Sequence, residues 1–332
     1  MKALVLKEIK QPLELEERPA LEPGPGEVVV SLKAAALNRR DFWITRGMYP
    51  GITTPITLGS DGTGEVARVG DAGDSDWLGR EVIINPGMAW GDAETAQSKE
   101  FTILGLPHNG TFATEVVVPT GQLHDKPKSL SWQEAAALPL AGVTAYRAAF
   151  SQGGLQQGQT VLITGIGGGV ATFALQFAVA AGATVWVTSS SPAKIERAVQ
   201  LGAQGGFNYT DEDWAKECVS KAGEPSLIID SAGGPGYRTL IDLAAPGGRI
   251  VNYGATAGPP KDFDLFKVFW KQIRLQGSTM GSPKDFSDLL DFVAKHNVKP
   301  VIDAVFPLAE GAAAIEQMKR SPQFGKYVLT MD

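Results

Sequence analysis

Gly165-Ile166-Gly167-Gly168-Gly169-Val170-Ala171 is the stretch whose residue types and order point most directly to chemistry. It lies between an apolar strand pattern, Val161–Thr164, and a stretch whose Val170, Phe173, Ala174, Phe177 and Ala181 recur at helical spacing. Strand, glycine turn and helix in that order let the backbone approach a pyrophosphate, with free N–H groups and the positive end of the helix dipole facing its charge. Gly165, Gly167, Gly168, Gly169 and Val170 are therefore the candidate dinucleotide cradle. The literal string G-x-G-x-x-G/A is absent; Gly165, Gly168 and Ala171 recur at threes instead, and a tight structural turn is the plainer alternative.

The next strand pattern, Val185–Thr188, runs into Ser189-Ser190-Ser191-Pro192-Ala193-Lys194. A unit that binds NAD usually offers an acid there to the ribose 2′-hydroxyl, roughly 20 residues after the glycines. Hydroxyls and a cation in place of a carboxylate suit a 2′-phosphate, so the expected cofactor is NADP(H), gripped by Ser189, Ser190 and Lys194. A solvated helix N-cap is the alternative for these three.

The elements that must position this loop follow from the pattern around it. After residue 125, apolar runs at Val161–Thr164, Val185–Thr188, Gly206–Tyr209, Leu227–Asp230, Arg249–Tyr253 and Arg274–Gly277 alternate with helical stretches, which predicts an α/β doubly wound parallel sheet. Ser191-Pro192, Thr210-x-x-Asp213 and Ser282-Pro283 read as helix starts, and Gly182 as a helix stop. Before residue 125 the chain is strand-rich, at Ala3–Leu6, Val28–Ala34, Gly64–Val69, Glu81–Ile84 and Thr111–Val118, with breakers such as Glu22-Pro23-Gly24-Pro25-Gly26 between. Short strands with frequent breakers predict a barrel-like β domain. Val301–Phe306 and Tyr327–Leu329 lie beyond the sixth parallel strand and are expected to return to it. The predicted division is 1–124 with 295–332 as one domain and 125–294 as the other.

Composition narrows the function classes. A chain of 332 residues, 43% hydrophobic, has enough apolar material for two cores. Thirty Lys and Arg against 36 Asp and Glu give a net charge of −6, without the basic excess of a phosphate-backbone binder, so no nucleic-acid partner is expected. The one cysteine, Cys218, rules out an internal disulfide and a cysteine zinc cage, and reads as a half-buried helical thiol. Charged Lys7-Glu8 follow the start too closely for a signal-peptide apolar region, and Thr172, Gln176, Gly182 and Thr184 interrupt the long apolar run from Val170 to Val187. A cytoplasmic protein without a membrane span is the expectation. His108, His124 and His296 show no ligand spacing.

The order of motifs resembles the medium-chain dehydrogenase/reductase superfamily over the whole length: Pro23-Gly24-Pro25-Gly26-Glu27-Val28, Asn38-Arg39-Arg40-Asp41, Gly59-Ser60-Asp61-Gly62, Gly110-Thr111-Phe112-Ala113, Val161-Leu162-Ile163, the glycine loop and Gly325-Lys326-Tyr327-Val328. The resemblance implies a chaperonin-10 (GroES)-like β-barrel catalytic domain, closed by the C-terminal segment, beside a Rossmann domain. The chain departs from the zinc enzymes of that superfamily at each ligand position. Asn38 stands for their first cysteine, Ser60-Asp61 for their His-Glu, and Leu140 for a further cysteine, while the loop Trp90–Leu104 keeps its length without cysteines. The reading is a zinc-free member, most like the quinone oxidoreductase or enone reductase branch.

Without a Lewis acid, conjugate reduction asks less of a protein than alcohol oxidation, because the developing enolate or phenolate needs only hydrogen-bond donors and a later proton. The motif position makes Asn38 and Arg40 candidate oxyanion stabilisers, and Tyr49, in Arg46-Gly47-Met48-Tyr49-Pro50, is a candidate hydrogen-bonding or proton-delivering group. Their alternatives are loop support for Asn38, a structural pairing of Arg40 with Asp41 or Asp61, and a pocket wall for Tyr49; Asp41 is read as ordering the helix start. The resemblance further implies cofactor contacts at Thr144, Tyr209, Tyr253, Gly254, Met280, Gly281 and Lys326, the last near the nicotinamide end; strand-end aromatics without a ligand are the alternative for Tyr209 and Tyr253. Phe263, Phe266, Phe269 and Trp270 precede a sixth strand expected at the sheet edge, where related proteins often pair into dimers; these aromatics line either the substrate cleft or that interface. The function these features imply is NADPH-dependent reduction of a small-molecule quinone or α,β-unsaturated carbonyl. A zinc-independent alcohol dehydrogenase and a nucleotide-regulated binding protein are the alternatives.

Overall fold

The computed structural model describes residues 1–320 and 323–331. They form two compact units, Met1–Ala141 with Ser282–Asp332 and Gly142–Gly281. The parting points therefore lie at 141/142 and 281/282, not at 124/125 and 294/295. The physical reason is packing within the first unit. Helix Trp132–Ala137 lays Ala136 and Ala137 on Ala34, Ala36 and Val328, and helix Pro283–His296 sets Phe286 against His124, ring centroids 4.9 Å apart.

The first unit is built on a seven-stranded sheet whose central strand is Glu27–Ala36. On one side it pairs antiparallel with Asp61–Val69, and on the other with Lys326–Thr330, so Ala36 lies opposite both Asp61 and Val328. Asn38 follows two residues later. Sheet register alone thus gathers Asn38, Asp61 and Lys326 from positions almost 290 residues apart. Ile302–Pro307 continues this sheet parallel to Lys326–Thr330. The turn before Asp61 requires glycine, because Gly59 has φ +98° and a Cβ there would sit 2.4 Å from Phe112. The expected strand Thr111–Val118 is ordered as Glu115–Pro119; Thr111 instead uses its hydroxyl on the Asp61 carbonyl, 2.7 Å.

The second unit carries a six-stranded, all-parallel sheet in the order Gly205–Asn208, Thr184–Ser189, Thr160–Ile163, Leu227–Asp230, Arg249–Asn252, Arg274–Gly277. This is the doubly wound order 3-2-1-4-5-6, with the switch point between Thr160–Ile163 and Leu227–Asp230. Central strands covered on both faces read as unbroken apolar runs, and Leu162, Ile228, Ile250 and Phe207 form their core with Ile241 and Cys218. Cys218 is fully buried in this core and not half-buried, because its helix face packs on the sheet, and burial pushes its thiol up to about 11.

Ser191-Pro192 and Ser282-Pro283 open helices Pro192–Gln200 and Pro283–His296. The expected capping box from Thr210 does not form. Thr210 bonds back to Asn208 Oδ1 through its N–H and its hydroxyl, and helix Trp214–Ala222 starts after Asp213. Among the described residues no helix is long and apolar enough to cross a membrane.

Candidate active site

Two groups of residues, one in each unit, have the geometry of binding or chemistry. In the second unit the expected cofactor residues follow the carboxyl ends of the parallel strands, the edge where doubly wound sheets bind ligands. The loop 164–168 leaves Thr160–Ile163, Ser190 leaves Thr184–Ser189, Tyr209 leaves Gly205–Asn208, Tyr253 and Gly254 leave Arg249–Asn252, and Met280 and Gly281 come shortly after Arg274–Gly277. Gly165 and Gly167 take φ +63° and +123°, and Gly168 is the N-cap of helix Gly169–Ala180 with no side-chain cap of its own. A Cβ built on Gly168 meets nothing within 4 Å, so the backbone at this helix start is open to close approach by a ligand, as a phosphate cradle requires. These residues fit a nicotinamide dinucleotide.

Side chains fix that edge. Thr164 Oγ1 donates to Asp230 Oδ1 at 2.6 Å, Asn252 Nδ2 donates to Asp230 Oδ2 at 2.8 Å, and the Tyr237 hydroxyl donates to Asn252 Oδ1 at 2.6 Å. Three strand ends are tied through one buried carboxylate, which also accepts the N–H of Ala232 and of Gly233. Burial, helped by Asp230, pushes the Tyr237 hydroxyl up to about 12, so Tyr237 stays a neutral donor. Burial likewise raises the Tyr253 hydroxyl well above the ordinary range, against a hydrogen bond with Ser231 that lowers it. Thr188 ties the second strand to the glycine loop by accepting the Gly165 N–H. At the strand end Ser189 is buried, its Oγ accepting the Ser191 N–H, whereas Ser190 is exposed and Lys194 half-buried. Tyr209 is exposed, and Thr144 Oγ1 lies 3.9 Å from Met280 Sδ.

In the first unit, Asn38 and Asp61, at two of the family's ligand positions, form a closed polar triangle with Lys326. Lys326 Nζ donates to Asn38 Oδ1 at 2.5 Å and to Asp61 Oδ2 at 3.0 Å, and Asn38 Nδ2 donates to the same Asp61 oxygen at 2.9 Å. The other Asp61 oxygen accepts the Leu140 N–H at 2.8 Å. Asp61 is fully buried and the Lys326 side chain 4% exposed. Beside this triangle Arg40 Nη1 donates to Ser60 Oγ at 2.7 Å and to the Leu104 carbonyl at 3.0 Å. Its guanidinium lies 5.0 Å from the centre of the Tyr49 ring, with Nε 3.4 Å from the phenol oxygen. Asp41 Oδ2 accepts the Asn38 N–H at 2.7 Å and orders the helix start.

Asn38, Arg40, Tyr49 and Lys326 are thus brought together. The pairing of Lys326 with Asp61, the Leu140 amide that supports it and the Arg40–Ser60 bond were not anticipated. The available signal was a lysine and an aspartate each set among apolar neighbours, in Gly325-Lys326-Tyr327-Val328 and Leu58-Gly59-Ser60-Asp61.

A zinc ion does not fit this arrangement. Zinc needs deprotonated thiolate, imidazole or carboxylate donors converging on one centre. Here the only carboxylate of the triangle is bonded to an ammonium and two N–H donors, and among the described residues no group of three His, Cys, Asp or Glu side chains could hold a metal. The loop Trp90–Leu104 is closed by organic contacts. Trp90 Nε1 donates to the Ala93 carbonyl, Ser98 Oγ to the Ala89 carbonyl, and the Trp90 and Phe101 rings meet edge to face at 5.3 Å.

Comparison with known proteins agrees with both halves. Residues 24–128 match the alcohol dehydrogenase GroES-like domain and residues 169–295 the zinc-binding dehydrogenase domain. The chain is 36% identical to a zinc-type alcohol dehydrogenase-like protein, YogA, of Leptosphaeria maculans, covering 97% of this chain and 95% of that protein. It is 30% identical to an acryloyl-coenzyme A reductase of Sulfurisphaera tokodaii, over 99% of both. A solved structure described as an NAD-dependent alcohol dehydrogenase superposes with a TM-score of 0.93 at 37% identity, covering all of both chains.

Proposed function

The chain belongs to the medium-chain dehydrogenase/reductase superfamily and is an oxidoreductase of it; from that premise we propose that it is a zinc-independent, NADPH-dependent reductase of α,β-unsaturated carbonyl compounds or quinones. The observation that carries the reading is the Lys326–Asp61–Asn38 triangle, in which Asn38 and Asp61, at two of the family's metal-ligand positions, are bonded to each other and to the Lys326 ammonium. A relative described as an acryloyl-coenzyme A reductase supports the enone side.

When bound, the cofactor supplies a hydride to an electron-poor carbon of the acceptor. The glycines from 165 to 169 and Val170 would hold its pyrophosphate, Ser189, Ser190 and Lys194 its 2′-phosphate, and Tyr209, Tyr253, Gly254, Thr144, Met280 and Gly281 its adenosine and nicotinamide ends. The absence of a carboxylate after Thr184–Ser189 is what favours NADPH over NADH in this chain, although a similar solved structure is described as NAD-dependent. Negative charge develops on the acceptor oxygen, and the Asn38 amide is the donor assigned to it, with Arg40 lending positive charge nearby. Tyr49 delivers the proton, and the guanidinium beside its ring stabilises the phenolate left behind.

A homodimer is part of the proposal. Strand Arg274–Gly277 ends the parallel sheet, and helix Leu265–Trp270 before it exposes Phe266, Phe269 and Trp270, the last 72% accessible. The cytoplasm suits a chain whose one cysteine is a buried thiol.

The test is NADPH consumption by the purified protein with cyclohexenone, a crotonyl thioester and benzoquinone, set beside NADH and beside alcohols with NADP⁺. Saturable, NADPH-selective reduction is expected. Tight NADPH binding without turnover of any acceptor would make it a nucleotide-binding protein, and turnover with alcohols alone would make it a dehydrogenase.

A further inference from the structure

We infer that Lys326, paired with Asp61, is the positioning residue that sets the Asn38 amide for the substrate oxygen. The inference rests on the reductase reading and identifies what orients its oxyanion donor. An ammonium can only donate and a carboxylate can only accept. Lys326 Nζ at 2.5 Å therefore fixes which amide atom of Asn38 is oxygen, and Asp61 Oδ2 at 2.9 Å fixes which is nitrogen. A flipped amide would set NH₂ against the ammonium and C=O against the carboxylate, so only one orientation survives.

Asn38 Nδ2 carries two N–H groups, and Asp61 takes one. The other is the donor that remains for a ligand. An amide whose oxygen accepts from a cation is polarised, which strengthens its N–H. The third side of the triangle, Lys326 to Asp61 at 3.0 Å, makes the pair net neutral, and the Leu140 N–H holds the second Asp61 oxygen. Asn38 and Asp61, at two of the positions where zinc enzymes carry metal ligands, are thereby held in a group without net charge.

Two other roles for Lys326 fit the geometry less well. Loss of its proton to substrate would strand the fully buried Asp61 carboxylate without a bonded cation. Two of its three N–H groups are already committed to Asn38 and Asp61, which leaves little for a cofactor. The sheet register explains why a strand from the far end of the chain is needed at all: Lys326–Thr330 runs antiparallel beside Glu27–Ala36 with Val328 opposite Ala36, so Lys326 comes to Asn38, two residues past the strand end.

The experiment compares the wild type with Lys326→Met, and with Lys326→Met combined with Asp61→Asn, which removes both charges together and spares the fold an unpaired buried carboxylate. Readouts are kcat and KM for NADPH-dependent reduction, the NADPH Kd by fluorescence, and binding of 4-nitrophenolate, an oxyanion probe, to protein with NADP⁺ by its absorption band. We expect kcat and 4-nitrophenolate affinity to fall about 100-fold, with the NADPH Kd within about twofold. In an Asn38→Ala background the Lys326→Met change should add less than about twofold, because the lysine acts through the amide. An NADPH Kd that rises as much as kcat falls, or an undiminished Lys326 effect without Asn38, would overturn the inference. Unchanged kcat in the paired variant would overturn it and leave the reductase reading standing. Wild-type protein that binds 4-nitrophenolate through Asn38 and Lys326 but reduces no acceptor would refute the reductase reading and leave the positioning role supported.

Discussion

Replacing Asp41 with asparagine should favour the folded state more at neutral pH than at acid pH. Asp41 is fully buried in the first turn of helix Arg39–Thr45, with Oδ2 on the Asn38 N–H and Oδ1 without a donor. Burial pushes its carboxyl from 3.8 up to about 6; Arg40, the Asn38 N–H and Lys326 pull it down and Asp61 adds to the rise, but burial wins. The folded protein therefore holds this proton more tightly than the unfolded chain. Below the unfolded value of 3.8 both states are protonated and there is no penalty; as the pH climbs toward about 6 the unfolded chain ionises first, and above it the fold carries the whole cost. A rise of about two units corresponds to about 3 kcal/mol, of which about 2 kcal/mol accumulates between about pH 4.5 and 7.5. Asparagine keeps an oxygen for the Asn38 N–H and carries no charge. Urea unfolding of both proteins at the two pH values should show the D41N stability relative to wild type growing by about 2 kcal/mol. A difference that is the same at both pH values would refute the reasoning, since it would mean that Asp41 ionises alike in both states.

Three further outcomes are expected. Ser190→Ala combined with Lys194→Ala should weaken NADPH binding about 10- to 100-fold, the loss of charge-assisted bonds to a phosphate, and leave NADH within about twofold; isothermal titration with both cofactors checks this, and equal losses would remove the phosphate assignment. Tyr49→Phe should lower kcat about 100-fold with little change in KM, measured under saturating NADPH, whereas full turnover would exclude Tyr49 as proton donor. Phe266→Ser with Trp270→Ser should turn a dimer into a monomer in sedimentation equilibrium, because it removes exposed aromatic surface beside an open strand edge; an unchanged mass would move the interface elsewhere.

The Rossmann half is legible in the sequence because its signals are local. Apolar runs such as Leu227–Asp230 are continuous where helices cover both faces, and the glycines between strand and helix need no partner from elsewhere in the chain. The polar triangle is not local. Lys326 meets Asp61 across 265 residues, and only the register of Lys326–Thr330 on Glu27–Ala36 brings them together. Motif order could nominate Asn38 and Lys326 separately but not the bond between them. The helix after Thr210 starts later than the Thr210-x-x-Asp213 pattern indicates for the opposite reason: a nearby acceptor, Asn208 Oδ1, takes the Thr210 N–H that a capping box would give to Asp213. Domain boundaries shifted because Ala136, Ala137 and Phe286 pack on the first unit's side chains, which periodicity does not reveal.

The most direct test of the central claim is enone and quinone reduction by NADPH before and after exhaustive chelation, with metal content measured on the same samples. The triangle of Lys326, Asp61 and Asn38 predicts undiminished turnover at a zinc content far below one per chain, and no gain when zinc is added back. Activity that disappears with the metal and returns with zinc would contradict the account, because it would require the Asp61 carboxylate to exchange its ammonium for a metal ion.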